Sequence, residues 1–256
     1  MTASVSQTTL ETLGFNMVPQ KPTKQWNKQK FITLGESKVG KTKFWAQDEK
    51  NFFLRTEAGH NHVKTIGADC RDFNDVLTWK TKLMQAKQAG ILPFETLVID
   101  TGDRLLDYIT EDILDWAHNK YPKSEIFGIG DIPEGNGWYA LKTKTNLFLK
   151  QLEELGCAVT IIFHTAQDIR SEDTDSKKTY KKDTINVGGK AGTALLAWAD
   201  HILHIRSTYV GDIQVRKMVT RGTKTIEAGS RANLNPSIPW TENDAENWKQ
   251  FRALFD

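Results

Sequence analysis

Short apolar runs alternate with longer amphipathic segments along most of this chain. The apolar runs are four to seven residues long, which is typical of buried strands, and the longer segments repeat apolar positions with helical spacing. The predicted strands are residues 30–34, 51–57, 96–100 and 158–164, and the predicted helices are residues 72–89, 103–118 and 138–155. Strands that alternate with helices indicate an α/β fold with a mostly parallel sheet covered on both faces.

The pattern changes near both ends of the chain. Residues 1–28 are rich in Ser, Thr, Gln and Lys and predict a flexible arm, which leaves residues 29–256 as one domain. Residues 202–205 and 213–219 are two apolar runs around Gly211-Asp212, and this arrangement predicts an antiparallel hairpin near the sheet edge. Residues 240–251 predict a last helix that packs on the sheet or on a neighbouring subunit.

Composition narrows the class of protein. The chain is 39% hydrophobic and 26% charged, and no apolar run approaches the ~18 residues that a membrane span needs. The first residues do not resemble a secretion signal, so a cytoplasmic location is expected. A net charge of +2 does not by itself indicate nucleic-acid binding. Cys70 and Cys157 lie too far apart in sequence to suggest a zinc knuckle or a disulfide framework.

One segment carries a specific chemical signal, because it fits the phosphate-binding pattern G-x-x-x-x-G-K-[ST] at every fixed position. An apolar strand precedes it and residues 43–46 continue it as a helix, which is the context that the pattern requires. The segment predicts that the chain binds ATP. Its residues are Gly35, Glu36, Ser37, Lys38, Val39, Gly40, Lys41 and Thr42.

The residue types explain how such a loop holds phosphates. Gly35 and Gly40 allow backbone conformations in which successive N–H groups point inward at a helix N-terminus. Lys41 is expected to reach the β and γ phosphates, and the Thr42 hydroxyl suits Mg²⁺, which prefers oxygen ligands. A glycine-containing turn that matches by chance is the alternative.

Polar residues end three of the other predicted strands, where ligands of open α/β sheets bind. Asp100 is the candidate acid on the Mg²⁺ side, or else a carboxylate that stabilises a helix N-terminus. Thr101 follows it, where hexameric AAA-type machines usually have a catalytic glutamate, so the water-activating acid must come from elsewhere. Glu57 fits that role, with an ordinary exposed glutamate as the alternative. His164 is a candidate γ-phosphate contact or a structural histidine at a strand end.

Taken together, these segments resemble the RecA-like ATPases, and among them the phage nucleotide-binding and single-strand annealing proteins of the Sak type. The resemblance spans most of residues 29–222 and implies a RecA-like P-loop NTPase core. It also implies that Glu57 is the catalytic acid, Asp100 the Mg²⁺-side acid and His164 the γ-phosphate sensor. The matching segments are residues 35–42, 53–59, 98–101, 161–164 and 188–191.

The resemblance further implies contact with single-stranded DNA through the loops after the sensor strand. The corresponding residues 168–190 contain four lysines around one ring that can stack on a base, a mixture that suits phosphate contact and base stacking. Nearby acidic residues leave an ordinary solvated loop as the alternative. The candidate DNA-binding residues are Lys177, Lys178, Tyr180, Lys181 and Lys182.

In the same family, ATP lies at subunit interfaces and a basic residue of a neighbouring subunit completes the site. Arg221 is the favoured candidate for that residue, chosen over Arg216, Lys217 and Lys224. The expected assembly is therefore a homo-oligomer in the cytoplasm of a bacterial host, working on single-stranded DNA and with a single-strand DNA-binding protein as a further partner.

Two other functions are open at this point. A small-molecule kinase shares the phosphate loop and the length, but such enzymes need arginines in a lid, and only Arg170 lies near the expected lid. A nucleotide-binding module that recruits partners in phage replication or packaging is the other alternative. A metal other than nucleotide-bound Mg²⁺ is not expected, because the histidines lack a third ligand at convincing spacing.

Overall fold

The computed structural model describes residues 12, 24–57, 62–172, 178–187 and 189–255. Those residues form a ten-stranded mixed sheet with helices packed on both faces. The strands are β1 (Lys30–Gly35), β2 (Asn51–Arg55), β3 (Ile66–Asp69), β4 (Thr96–Asp100), β5 (Ala158–Ser171), β6 (Thr179–Ile185), β7 (His201–Val210), β8 (Ile213–Val219), β9 (Gly229–Ser230) and β10 (Ser237–Trp240). The α-helices are α1 (Lys41–Trp45), α2 (Phe73–Gln88), α3 (Gly102–Lys120), α4 (Asn136–Glu153), α5 (Gly189–Trp198) and α6 (Asp244–Arg252). Short 3-10 turns are Trp26–Lys28, Ile129–Asp131, Pro133–Gly135 and Ala253–Phe255.

The central strands run parallel in the order β7-β1-β5-β4-β2-β3. Strand β1, which leads into the phosphate loop, is therefore flanked by β5 and β7, and β5 separates it from β4. The antiparallel strands β8 and β10 extend the sheet beyond β7. The predicted α/β fold class is confirmed: the central sheet is mostly parallel and flanked by helices, and the C-terminal strands form an antiparallel hairpin.

Alternation along the strands produces two separate hydrophobic cores. In β1, Ile32 and Leu34 face a mostly aliphatic core that α2, α3, α4 and α5 cover. Phe31, between them in sequence, faces the opposite side and joins an aromatic core. A period of two therefore assigns neighbouring residues of one strand to different layers.

The aromatic core fixes the short helix α1 that follows the phosphate loop. Trp45 and Phe44 of α1 lie 5.3 Å, between ring centroids, from Trp248 and Phe251 of α6, respectively. A five-residue helix cannot be stable by itself, so this packing, rather than helix propensity, holds α1 in place. The predicted last helix thus packs inside the same chain, against α1.

Two boundaries differ from those that the sequence pattern predicts. Strand β5 does not end at residue 164 but continues to Ser171 and pairs with β6 as an antiparallel hairpin, which we call the β5–β6 hairpin. At the other end, Trp26 is buried in the aromatic core and its Nε1–H donates to Thr96 Oγ1 at 2.9 Å. Trp26 is therefore part of the packed domain, although the sequence predicts that the domain begins at residue 29. Most of the predicted arm lies outside the described residues. Within the described ranges, no helix has the length and apolarity to cross a bilayer.

Candidate nucleotide-binding site

A cleft of 530 Å³ opens at the carboxyl ends of the parallel strands, beside the phosphate loop. It brings together five side chains that the sequence spreads over more than one hundred residues: Lys41, Thr42, Glu57, Asp100 and His164. The register explains the convergence, because Gly35 at the end of β1 pairs with His164 of β5, and Asp100 at the end of β4 pairs with Arg55 of β2. These five side chains therefore lie at one edge of the sheet, formed by the carboxyl ends of the parallel strands.

The backbone of the phosphate loop requires glycine at two positions. A Cβ on Gly35 would lie 2.7 Å from both the Ile205 carbonyl oxygen and Val39 Cγ1, so no larger residue fits there. Gly40 has φ of 110°, in the region that favours glycine. Lys38 is also left-handed, with φ of 63°. Such conformations are those that a loop needs for successive N–H groups to face a phosphate at the start of a helix.

Lys41, at the end of this loop, is buried. Its Nζ donates hydrogen bonds of 2.8 Å to the carbonyl oxygens of Gly35 and Glu36. Burial lowers the pKa of Lys41, while the nearby carboxylates of Asp100, Asp103, Glu57 and Glu36 oppose that shift. The amine is thus a buried cation, surrounded by acids, at the place where phosphates are expected.

Thr42 and Asp100 supply two oxygen ligands of the kind that Mg²⁺ prefers. The Thr42 hydroxyl donates to Asp100 Oδ2 at 2.6 Å, so the two oxygens already lie side by side. Asp100 is only 3% exposed, and the Lys41 cation lies close enough to interact with it. The residues therefore fit a nucleotide-bound Mg²⁺. No group of three or more His, Cys, Asp or Glu in the described ranges could hold a metal ion by itself.

Glu57 is held at the rim of the cleft by the residue that follows Asp100. The Thr101 hydroxyl donates to Glu57 Oε2 at 3.2 Å. Thr101 is itself fixed: its N–H donates to Thr56 Oγ1, and its carbonyl accepts from the same hydroxyl, both at 2.7 Å. The exposed carboxylate of Glu57 is therefore oriented by a buried threonine pair.

His164 enters the cleft from β5 and contacts Asp103, in the first turn of α3. Asp103 Oδ2 accepts from the His164 backbone N–H at 2.8 Å and lies 3.2 Å from the ring Nδ1. The hydrogen bond with Asp103 raises the pKa of His164, against the opposing effects of burial and of Lys41. The imidazole is 35% exposed, so the rest of the ring can meet a ligand.

Three residues near the cleft were not assigned these roles by sequence reasoning. Asp103 was expected only as the first residue of a helix, and Thr101 only as a departure from the AAA pattern. Arg216 was considered as a residue acting on a neighbouring subunit, yet within one chain its Nη1 lies 3.5 Å from the Val39 carbonyl of the phosphate loop. The sequence signal that could have identified Asp103 is that it is a second acid, three residues after Asp100. No local signal in the sequence identified Arg216.

The candidate DNA-binding residues that the structure describes lie on the β5–β6 hairpin or directly before β6, and they do not form one surface. Lys182 is largely buried and pairs with Glu227 at 2.9 Å, and Lys224 covers the ring of Tyr180 at 4.8 Å. Lys181, between them, points to the opposite side of β6 and is exposed. Lys178 is also exposed, and Lys177 lies outside the described residues.

Arg221 lies apart from the phosphate cleft. It lines a different cavity of 430 Å³ together with Gly229 and Arg231. A single chain brings no residue of a neighbouring subunit to its own cleft, so a role for Arg221 across an interface stays a prediction. Arg170 likewise lies outside the cleft, on β5, where it pairs with Asp168 at 3.0 Å.

A protein family and a solved structure are similar to this chain. The model of a family described as AAA domain matches residues 27–232, which include β1, the phosphate loop and every polar residue of the cleft. No curated protein matches the chain. Among solved structures, the KaiC-like protein PH0186 from the hyperthermophilic archaeon Pyrococcus horikoshii OT3 is 13% identical, with 85% of this chain and 87% of that chain covered and a TM-score of 0.47. The chain belongs to the AAA domain family.

Proposed function

We propose that this AAA-domain chain hydrolyses ATP and couples hydrolysis to the binding of single-stranded DNA, as a phage-type recombination protein that promotes annealing or strand pairing. The observation that supports hydrolysis is the convergence of Lys41, Thr42, Glu57, Asp100 and His164 in one cleft. Binding alone would need the loop and Lys41; the additional acid and the histidine opposite it are what a hydrolase requires.

Each group has a distinct proposed task. The loop N–H groups and Lys41 bind the phosphates, and Lys41 exchanges its two carbonyl partners for phosphate oxygens. Thr42 and Asp100 hold Mg²⁺, directly or through water, and the metal ion supplies charge that neutralises the phosphates. Glu57, oriented by Thr101, accepts the proton of the attacking water. His164 donates from its ring to the terminal phosphate.

The coupling to DNA is proposed from the continuity of β5. His164 lies in the middle of this strand, and the next seven residues run without interruption into the β5–β6 hairpin. A change in hydrogen bonding at His164 is therefore transmitted along a paired strand to the exposed Lys178 and Lys181. The proposal includes a homo-oligomer with ATP at subunit interfaces, in which Arg221 of one subunit lies near the phosphates of the next. It also includes a single-strand DNA-binding protein as a partner.

The first experiment measures ATP hydrolysis with and without single-stranded DNA for the wild type and for Lys41→Ala. We expect wild-type turnover that rises with DNA and a variant without measurable turnover. Lys50→Ala is the matched control, because Lys50 is an exposed lysine that does not line the cleft and pairs with Glu95. It should hydrolyse ATP at the wild-type rate.

Each result separates the functions. Lys41-dependent turnover that is indifferent to DNA would contradict the recombination function and leave an ATPase with another partner. Nucleotide binding without turnover would favour the binding module. Transfer of phosphate to a nucleoside acceptor would favour the kinase, although no arginine lines the cleft among the residues that the structure describes.

A further inference from the structure

Asp103 makes two contacts with a single residue, and that residue faces the phosphate cleft. Its Oδ2 accepts the His164 backbone N–H at 2.8 Å and lies 3.2 Å from the same residue's Nδ1. One carboxylate oxygen thus fixes both the main chain of β5 and the ring that leaves it. The other oxygen, Oδ1, is buried and has no hydrogen-bond partner within the described residues.

The chemistry of the pair determines where the ring protons lie. An ionised carboxylate only accepts hydrogen bonds, so the Nδ1 that faces it must carry a hydrogen. In the neutral ring, Nε2 is then a bare acceptor. In the protonated ring, Nε2–H is a donor on the side of the imidazole away from Asp103, and His164 lines the cleft.

We propose that Asp103 is a positioning residue for ATP hydrolysis, which holds His164 with Nδ1–H on its carboxylate and Nε2 toward the terminal phosphate. The inference rests on the proposed ATPase function, since it assigns how His164 meets that phosphate. A ring without this contact would rotate about its χ angles and present either nitrogen or neither.

The charged groups around His164 come from three elements. Asp103 of α3 and Glu57 after β2 favour the protonated ring, whereas Lys41 of α1 opposes it, and the contact with Asp103 is the largest contribution. Because the pKa of His164 is raised, the Nε2–H donor persists to higher pH than on an ordinary histidine. Wild-type turnover should therefore decline as the pH rises through the His164 pKa, where Nε2 becomes a bare acceptor opposite an anionic phosphate.

The first test is ¹⁵N NMR of the histidine rings in the whole protein, with the His164 signals assigned by comparison with His164→Gln. In the wild type, we expect Nδ1 of the neutral His164 ring to be protonated. Asp103→Asn should lower the His164 pKa and populate the form with hydrogen on Nε2, because an amide can donate to Nδ1. The matched control is Asp107→Asn, which removes an exposed charge one turn along α3, where Asp107 pairs with Arg104.

The second test is the pH profile of ATP turnover in the same variants. Asp103→Asn should reduce kcat roughly tenfold to hundredfold with little change in KM, the range typical for loss of the carboxylate partner of a metal-bound histidine. Its profile should also be flatter than that of the wild type, because its neutral ring can still present Nε2–H. The double variant with His164→Gln should be no slower than His164→Gln alone, since Asp103 acts through the histidine.

Several results would overturn the inference. One is a neutral wild-type His164 ring with Nδ1 unprotonated. Another is an Asp103→Asn variant whose His164 spectrum and pH profile are unchanged. A third is that Asp103→Asn slows turnover in the His164→Gln background as much as in the wild type, which would indicate that Asp103 has a structural role alone. The wild-type NMR measurement needs no turnover and does not depend on whether Asp103→Asn folds. Absence of wild-type turnover would instead contradict the proposed ATPase, whatever the ring shows.

Discussion

The phosphate cleft and the β5–β6 hairpin differ in how distance along the sequence relates to distance in space. In the cleft, Lys41, Asp100 and His164 are far apart in sequence, and the parallel strands bring them together. On the hairpin, Lys181 and Lys182 are adjacent in sequence, and the strand sends them to opposite faces. One of the two is exposed, and the other is tied to Glu227.

The difference shows when a cluster in sequence becomes a cluster in space. Strand ends of a parallel sheet share one edge, so a polar residue at each end predicts a common site without any local clustering. Consecutive residues share a surface on a loop of suitable shape but not on a strand, where side chains alternate. A run of lysines therefore indicates a binding surface only after the element that carries it is known.

The largest effect is expected in the cleft, from Glu57→Gln. The amide keeps the contact with Thr101 but cannot accept a proton, so kcat should fall by roughly 10²–10⁴ while ATP affinity stays close to that of the wild type. Steady-state hydrolysis and equilibrium nucleotide binding measure the two separately. The control is Glu111→Gln, an exposed acid on α3 that pairs with Arg104. Unchanged turnover in Glu57→Gln would remove Glu57 as the base.

A smaller effect should appear where the two regions meet. His204 of β7 is 2% exposed, and its Nε2 lies 3.3 Å from Thr165 Oγ1, one residue after His164. Burial lowers the pKa of His204 to about 4, from an ordinary value of 6.5. The unfolded chain therefore binds this proton first, so the free energy of unfolding should decrease as the pH falls from about 6.5 to about 4. The slope from this residue is about 1.4 kcal/mol per pH unit.

Urea denaturation at several pH values, for the wild type and for His204→Gln, measures that slope. In the variant, the free energy of unfolding should change less steeply with pH, by the contribution of one histidine. His201, whose pKa burial also lowers to about 4, should supply most of what remains in this range. An identical slope in the variant would contradict the assignment to His204.

The smallest effects should separate the two faces of the hairpin. Lys181→Ala should weaken single-strand DNA binding and reduce the salt dependence by about one counterion, with stability unchanged. Lys182→Ala should leave DNA binding nearly intact and lower the free energy of unfolding by about 1 kcal/mol, because it removes a partner of the largely buried Glu227. Fluorescence anisotropy across a salt series and urea denaturation give the two readouts. Equal effects of both variants on DNA affinity would mean that the alternation of side chains between the two faces of β6 does not determine which lysine contacts DNA.

The sequence predicted most of the sheet and the part of the site that lies at strand ends. The strands of Asp100 and His164 were identifiable because each is an apolar run that ends in a polar residue. Asp103 was missed as a partner of His164, since the contact joins a helix start to a strand sixty-one positions away. Contacts of that kind depend on how a helix is set against the sheet, which periodicity does not specify.

Two further misses have physical causes. The continuation of β5 beyond His164 was not apparent because residues 165–171 are partly exposed and polar, and only pairing with β6 makes them a strand. Arg216 reaches the phosphate loop through β8, at the far side of β7 from β1. Its position follows from strand order, which local sequence does not encode.

The packing of α1 on α6 has a consequence for how the protein is made. Phe44 and Trp45 are synthesised well before the rings of Trp248 and Phe251 that hold their helix. A nascent chain that has not yet reached α6 carries the complete phosphate-binding motif without the support that fixes its shape. Nucleotide affinity should consequently be gained only after α6 has been synthesised, so that bound ATP reports that α6 has packed on α1.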